Sequence, residues 1–228
     1  MSLTYSQILQ KLKSLKNQRN IDGMARFGIR GKNILGVPKP ALQKMARAIG
    51  KDHLLALKLW DSKIHEARIL AALIDRPLEV TSAQMEKWVK DFDSWDLCDQ
   101  VCGHLFDRAS LAYRKALSWS RRKREFEKRA GFVLMAEMTA HDKKAPDKVF
   151  LSFLPVLRRE AWDERNFVKK AVNWALRQVG KRNPRLRKAA IQETRRIQRL
   201  GSPSALWIAA DALRELTDPK RKVGNLPK

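Results

Sequence analysis

The sequence predicts an all-α protein of about a dozen helices. Apolar residues recur every three or four positions along most of the chain, which is the spacing of a helix with one buried face. Gly or Pro interrupts this spacing at six places: Gly36-Val37-Pro38, Arg76-Pro77, Ala145-Pro146, Asn183-Pro184, Gly201-Ser202-Pro203 and Asp218-Pro219. No segment alternates apolar and polar residues between turn signals, so we expect no strands.

The predicted helices follow one another along nearly the whole chain. The first two are marked by two apolar sets, Ile8, Leu9, Leu12 and Leu15, and then Leu42, Met45, Ala46 and Ile49. Seven further segments have the same periodicity: residues 65–75, 81–92, 95–108, 125–140, 166–179, 184–200 and 203–216.

A degenerate repeat runs through these helices. Trp60, Trp119 and Trp162 each precede a helix that carries a basic residue next to alanine, and the last interval is about 40 residues, typical of two-helix HEAT or armadillo repeats. We therefore predict one HEAT-like α-solenoid domain over residues 1–217. Its concave face would be basic and would suit a long ligand. Residues 218–228 form a basic tail that we expect to be disordered rather than a nuclear localisation signal.

The charge points to a polyanionic partner. The 228 residues include 48 Lys and Arg against 24 Asp and Glu, a formal net charge of +24. Nucleic acid fits this excess better than a membrane, because no apolar run approaches the roughly 18 residues that a span needs. The two cysteines suggest no disulfide framework and no secretion signal opens the chain, so we expect a cytoplasmic protein.

The segment that starts at Trp95 carries acids within this basic chain. In the helix at 95–108, Leu97, Cys98, Val101 and Leu105 share the core stripe, while Trp95, Asp99, Cys102 and Phe106 share a second one. Asp96 suits the first turn, where an acid favours the helix dipole and Ser94 or Asp93 can cap. Asp99 lies one turn further in, so its role is either a salt bridge or chemistry.

A second candidate stripe lies on the helix at 166–179 and continues past it: Lys170, Trp174, Arg177 and Lys181. An aromatic ring among cations can be packing filler, or it can contact a sugar or a base edge. We expect DNA contacts from Lys170, Arg177, Lys181, Arg182 and Arg26.

Other kinds of site have less support in the sequence. Cys98, Cys102 and His104 lack a zinc spacing, His141-Asp142 lacks a nucleophile motif, and no phosphate-binding glycine loop occurs. We predict no metal and no cofactor.

Four motifs in order resemble the AlkD-like family of DNA alkylation repair glycosylases. They are Met24-Ala25-Arg26-Phe27 with Leu35-Gly36-Val37-Pro38, then Ser94-Trp95-Asp96-Leu97-Cys98-Asp99, then Lys128-Arg129-Ala130, and last the segment from Phe167 to Arg177. The family often has a second Trp where this chain has Ser94. The resemblance implies an all-helical HEAT-like fold in which Asp99 is the catalytic carboxylate, Trp95 and Trp174 flank the sugar of the damaged nucleotide, and Arg129 lies near the backbone phosphate.

The activity implied is hydrolysis of the N-glycosidic bond of purines alkylated at N3 or N7, in double-stranded DNA, by a monomer without a cofactor. The carboxylate would stabilise the oxocarbenium sugar. Two alternatives stay open: a helical-repeat protein that binds damaged or branched DNA or RNA without catalysis, and a solenoid that binds an acidic protein.

Overall fold

The computed structural model describes residues 3–31 and 33–218. These residues form thirteen α-helices and, in this part of the chain, no strand. The helices are α1 (Tyr5–Ser14), α2 (Gln18–Arg26), α3 (Lys39–Ile49), α4 (His53–Asp61), α5 (His65–Ile74), α6 (Ser82–Lys90), α7 (Trp95–His104), α8 (Ala112–Trp119), α9 (Glu125–His141), α10 (Asp147–Glu160), α11 (Asn166–Arg182), α12 (Pro184–Gln198) and α13 (Pro203–Leu216). Two short 3-10 helices, Pro77–Glu79 and Phe106–Arg108, complete them. The all-α prediction is confirmed; most of the predicted basic tail, residues 219–228, lies outside the described residues.

Local chemistry accounts for many of the helix starts. A side-chain oxygen accepts a hydrogen bond from a backbone N–H three residues further on at seven of them: Thr4, Asn17, Asp52, Thr81, Ser94, Asn183 and Ser202. Such a cap pairs one of the amides that the first turn leaves without a helical partner. Ser94, which departs from the family pattern, therefore has a role of its own at the start of α7.

The chain divides into two compact units, Met1–Ser110 and Leu111–Lys228. In the first, α5 packs against α3, α4 and α7, and the fully buried rings of Trp60 and Trp88 stack with centroids 3.9 Å apart. In the second, α11 packs between α9 and α13, α10 packs on α12, and α8 packs on α9. This second unit is thus a stack of helix pairs, as the repeat predicted. A single domain and a concave basic face stay predictions.

The three tryptophans of the repeat occupy similar positions, at or just after the end of a helix. Trp60 and Trp119 lie in the last turns of α4 and α8, and Trp162 lies just beyond α10. A cation lies over each ring: Arg68 at 5.0 Å from the Trp60 centroid, Arg122 at 5.6 Å from that of Trp119, and the Lys128 Nζ at 5.5 Å from that of Trp162. The first two tryptophans are fully buried, whereas Trp162 is exposed.

Candidate active site

The start of α7 presents the two residues predicted to carry the chemistry. Trp95 and Asp99 lie one turn apart and both are half-buried, while Leu97, Cys98 and Val101 fill the core. The remaining two residues of this predicted stripe are not accessible to solvent. Cys102, in the second half of α7, and Phe106, in the 3-10 helix that follows, are both fully buried. Only the first turns of the helix therefore leave this edge accessible.

Asp96, between them, has a structural role. Its carboxylate lies 3.1 Å from His65 Nε2 on α5 and accepts a hydrogen bond from Gln100 Nε2 at 3.2 Å. Burial alone would raise the pKa of Asp96, but the hydrogen bond and charge of His65, with help from Gln100, outweigh it and hold the pKa below its ordinary value. Asp96 therefore stays ionised and joins α7 to α5.

Trp95 also connects α7 to the N-terminal segment. Its indole Nε1 donates to the carbonyl oxygen of Phe27 at 2.9 Å. The ring borders a pocket of about 590 Å³ whose wall is mostly apolar, with Met24, Val37 and Leu42 among its lining residues. Asp96 also lines this pocket, whereas Asp99 does not. The first motif of the family resemblance thus contacts the second.

A buried glutamate, Glu66, binds the backbone of the turn at Leu35-Gly36-Val37-Pro38. The Glu66 carboxylate accepts hydrogen bonds from the backbone N–H of Leu35 at 2.9 Å and of Gly36 at 2.6 Å. Gly36 has φ +72°, and a Cβ there would lie 2.4 Å from the backbone oxygen of Asn17. Only glycine fits this position, which explains the residue in the motif.

In the second unit, α9 and α11 carry the other predicted active-site residues. Arg129 is only 6% exposed, and its Nη1 donates to the Phe167 carbonyl oxygen at 2.6 Å. Trp174 is half-buried on α11, and Lys170, one turn earlier, is exposed. The guanidinium of Arg129 thus fixes the first turns of α9 and α11 to each other. Its predicted contact with a phosphate stays a prediction.

The predicted DNA-binding cations differ in how much of their charge is available. Arg177 Nη1 and Lys181 Nζ lie 2.6 and 2.7 Å from the Glu215 carboxylate on α13. Burial alone would raise the pKa of Glu215, but hydrogen bonds from Lys181 and Arg177 hold it below its ordinary value. Arg182 lies over the Phe150 ring and donates to three carbonyl oxygens, those of Thr139, Asp142 and Ala145. Arg26 is exposed, as Lys170 is.

The sequence did not predict one buried cluster of charged residues, formed by Lys128, Glu160, Asp163 and Arg165. Lys128 Nζ, buried at the start of α9, lies 2.6 Å from Glu160 and 2.9 Å from Asp163. Arg165 also holds the Asp163 carboxylate. Burial alone would raise the pKa of Asp163, but Arg165 and Lys128 lower it to about 2. The sequence shows Lys128 as one more basic residue, because its carboxylate partners come more than thirty residues later.

No group of three or more His, Cys, Asp and Glu side chains is arranged to hold a metal ion within residues 3–31 and 33–218. Cys98 and Cys102 are buried, and neither forms a disulfide. Over the same residues, no helix combines the length and the apolar character that crossing a membrane requires.

Comparison with known proteins identifies the family of this chain. The family model described as "DNA alkylation repair enzyme" matches residues 8–207. The chain belongs to this DNA alkylation repair family. The predicted AlkD-like classification is thereby confirmed. No curated protein matches the chain.

One solved structure resembles this family member closely in fold. It represents a new family of proteins related to the HEAT-like repeat DNA glycosylases, with affinity for branched DNA structures. The TM-score is 0.76 at 18% sequence identity, and the match covers 85% of this chain and 83% of the other. At this identity the likeness concerns the fold, and it confirms the HEAT-like architecture.

Proposed function

We propose that this repair-family protein is a DNA glycosylase that removes cationic N3- or N7-alkylpurines from double-stranded DNA. The observation that carries the proposal is the pair Trp95 and Asp99, one turn apart on the accessible edge at the start of α7. A chain with a net charge of +24 gains nothing for DNA binding from a carboxylate at such an edge. In the proposed reaction this carboxylate is the group that stabilises the positive charge on the sugar.

The chemistry requires little beyond this carboxylate. An alkylated purine is cationic, so the C1′–N bond breaks with its electron pair moving to the base, which leaves neutral. The sugar becomes an oxocarbenium ion, which the Asp99 carboxylate stabilises and the ring face of Trp95 attracts. Water then adds to C1′ and releases a proton to solvent. In this proposal Trp174 forms the second wall beside the sugar, and Arg129 orients the strand.

The proposed partner is duplex DNA that carries alkylated bases, bound by a monomer without a cofactor. Lys170 and Arg26 are exposed and suit direct contact with phosphate. For Arg177, Lys181 and Arg182, whose charges already pair with Glu215 or with carbonyl oxygens, we propose a longer-range electrostatic contribution. Cys98 and Cys102 form no disulfide, which suits the reducing cytoplasm that we propose as the compartment.

A second candidate function is DNA binding without base excision. It is favoured by the solved structure of similar fold, whose family has affinity for branched DNA structures. Mass spectrometry of bases released from methylated duplex DNA separates the two candidates. Release of 7-methylguanine or 3-methyladenine by the purified protein supports the glycosylase. Binding to duplex or four-way junction without any release would leave the binding protein as the better account.

A further inference from the structure

Two exposed tryptophans of the second unit lie on segments that contact each other. The Ser204 hydroxyl, at the start of α13, donates to the Ala161 carbonyl oxygen at 2.7 Å, and the Ser204 backbone N–H donates to Glu164 Oε1 at 3.0 Å. These bonds join the start of α13 to the turn between α10 and α11. Trp162 lies in that turn, and Trp207 follows three residues after Ser204 in the first turns of α13.

Both rings are unusually open for tryptophan. Trp162 is 59% exposed and Trp207 is 40% exposed. Each has an ammonium group near one face: Lys128 Nζ lies 5.5 Å from the Trp162 centroid, and Lys169 Nζ lies 5.6 Å from the Trp207 centroid. Exposed indole faces can stack on flat aromatic ligands. Lys169 beside the Trp207 ring offers positive charge to an anionic ligand, whereas the charge of Lys128 is already paired with Glu160 and Asp163.

The charge around these rings selects the ligand. The buried carboxylates Asp163 and Glu160 are paired with Lys128, Arg165 and Arg159, so they add little negative potential. The nearby Glu164 carboxylate is exposed and accepts the Ser204 N–H. Lys169 and Lys170 follow on the first turn of α11, and Lys170 is exposed. Aromatic faces beside lysines form the pattern on which unpaired bases stack while their phosphates meet the cations. Bases within an intact duplex offer no free face to such rings.

We propose that Trp162 and Trp207 form a platform for unpaired nucleobases, with Lys169 and Lys170 contacting the adjoining phosphates. The platform would add affinity for DNA that carries a single-stranded segment beside a duplex. The inference rests on the proposed DNA binding, and it does not require base excision.

The test is fluorescence anisotropy with a labelled blunt duplex and the same duplex carrying a ten-nucleotide unpaired dT tail. We expect the tail to tighten binding of the parent about tenfold or more, since stacking on one aromatic ring typically contributes that much per base. The double variant Trp162→Ala/Trp207→Ala should lose most of this gain and bind the blunt duplex within twofold of the parent. The Trp162→Phe/Trp207→Phe variant keeps rings at both positions and should retain most of the gain.

Three outcomes would overturn the platform: no preference of the parent for tailed DNA, an unchanged preference in the alanine variant, or equal losses on blunt and tailed DNA. An unchanged preference would assign the contact with the tail to other residues. Thermal melting checks that the variants fold. Release of 7-methylguanine from blunt methylated duplex, measured alongside, separates this question from the proposed function. A tail preference lost in the alanine variant, in a protein that releases no base, supports the platform and contradicts the glycosylase.

Discussion

At the residue scale, two acids three positions apart on α7 have different surroundings. Asp96 contacts His65 and Gln100 and joins two helices. Asp99 shares its edge with Trp95, whose indole is fixed by the Phe27 carbonyl. Asp96 thus stabilises the packing of two helices, whereas Asp99, in our proposal, stabilises the transition state.

The Asp163 carboxylate should make stability depend on pH. Its pKa is lowered from 3.8 to about 2, so its contribution is fully present above about pH 4 and is lost as the pH falls towards 2. Asp163→Asn should lower the free energy of unfolding at pH 7 by about 3 kcal/mol, because it breaks a buried ion pair. Denaturant unfolding at pH 7, 4 and 2.5 measures both effects, and the variant's pH profile should be flatter.

The control is Asp61→Asn, which removes an exposed carboxylate paired with Lys87. An exposed pair contributes little, so this variant should stay within about 1 kcal/mol of the parent. If Asp163→Asn were as stable as Asp61→Asn at pH 7, the buried cluster would not contribute as described.

At the element scale, the close contact of α8 and α9 depends on one glycine. A Cβ on Gly131 would lie 2.5 Å from the Ser120 backbone nitrogen and 2.9 Å from the Ala116 backbone oxygen. Backbone atoms cannot move aside as a flexible side chain can. The two helices of this pair therefore approach more closely than any residue with a side chain would permit.

Gly131→Ala should destabilise the protein by about 2–4 kcal/mol, since it forces these helices apart. The matched control is Gly23→Ala in α2, where a Cβ meets nothing within 4 Å. That change should leave stability equal or raise it by about 0.5–1 kcal/mol, because alanine is the better helix former. Chemical denaturation of both variants measures the difference. Equal stabilities would contradict the close packing.

The sequence predicted helix positions well where periodicity and capping agree. The segment 203–216 coincides with α13, which begins after the Ser202 cap. The segment 95–108 extends beyond α7, which ends at His104, because apolar residues continue into the 3-10 helix that follows. Helices α2, α4, α8 and α10 were not assigned individually. In α10 an internal Pro155 adds a break signal that the structure accommodates.

The candidate site was predictable only in part. Spacing on one helix placed Trp95 and Asp99 on a common edge. It gave no sign that Arg129 donates to Phe167, or that Arg182 donates to Thr139. Those partners lie 38 and 43 residues away in the sequence, and only the stacking of α9 on α11 brings them near. Local patterns identify a helix face, whereas tertiary packing determines which cations stay available.

At the scale of the whole molecule, the net charge of +24 should dominate DNA affinity. Neutralising about six phosphates would make affinity for duplex DNA fall about 10³-fold between 50 and 200 mM salt. Anisotropy titrations in a NaCl series measure the slope, and sucrose at equal osmolality is the control. A change below threefold would contradict an electrostatic mode of binding.

In the proposed mechanism the Asp99 carboxylate stabilises the positive charge that develops on the sugar as the base departs. The most direct measurement is the single-turnover rate of 7-methylguanine release from duplex DNA by the parent, Asp99→Asn and Asp93→Asn, with duplex affinity measured beside it. Asp93 is exposed just before α7, so its variant controls for one lost charge in the same segment. We predict a loss of about 10²–10³ in rate for Asp99→Asn, with duplex affinity equal or higher, and near-parental release for Asp93→Asn. A rate for Asp99→Asn within threefold of the parent would contradict the account.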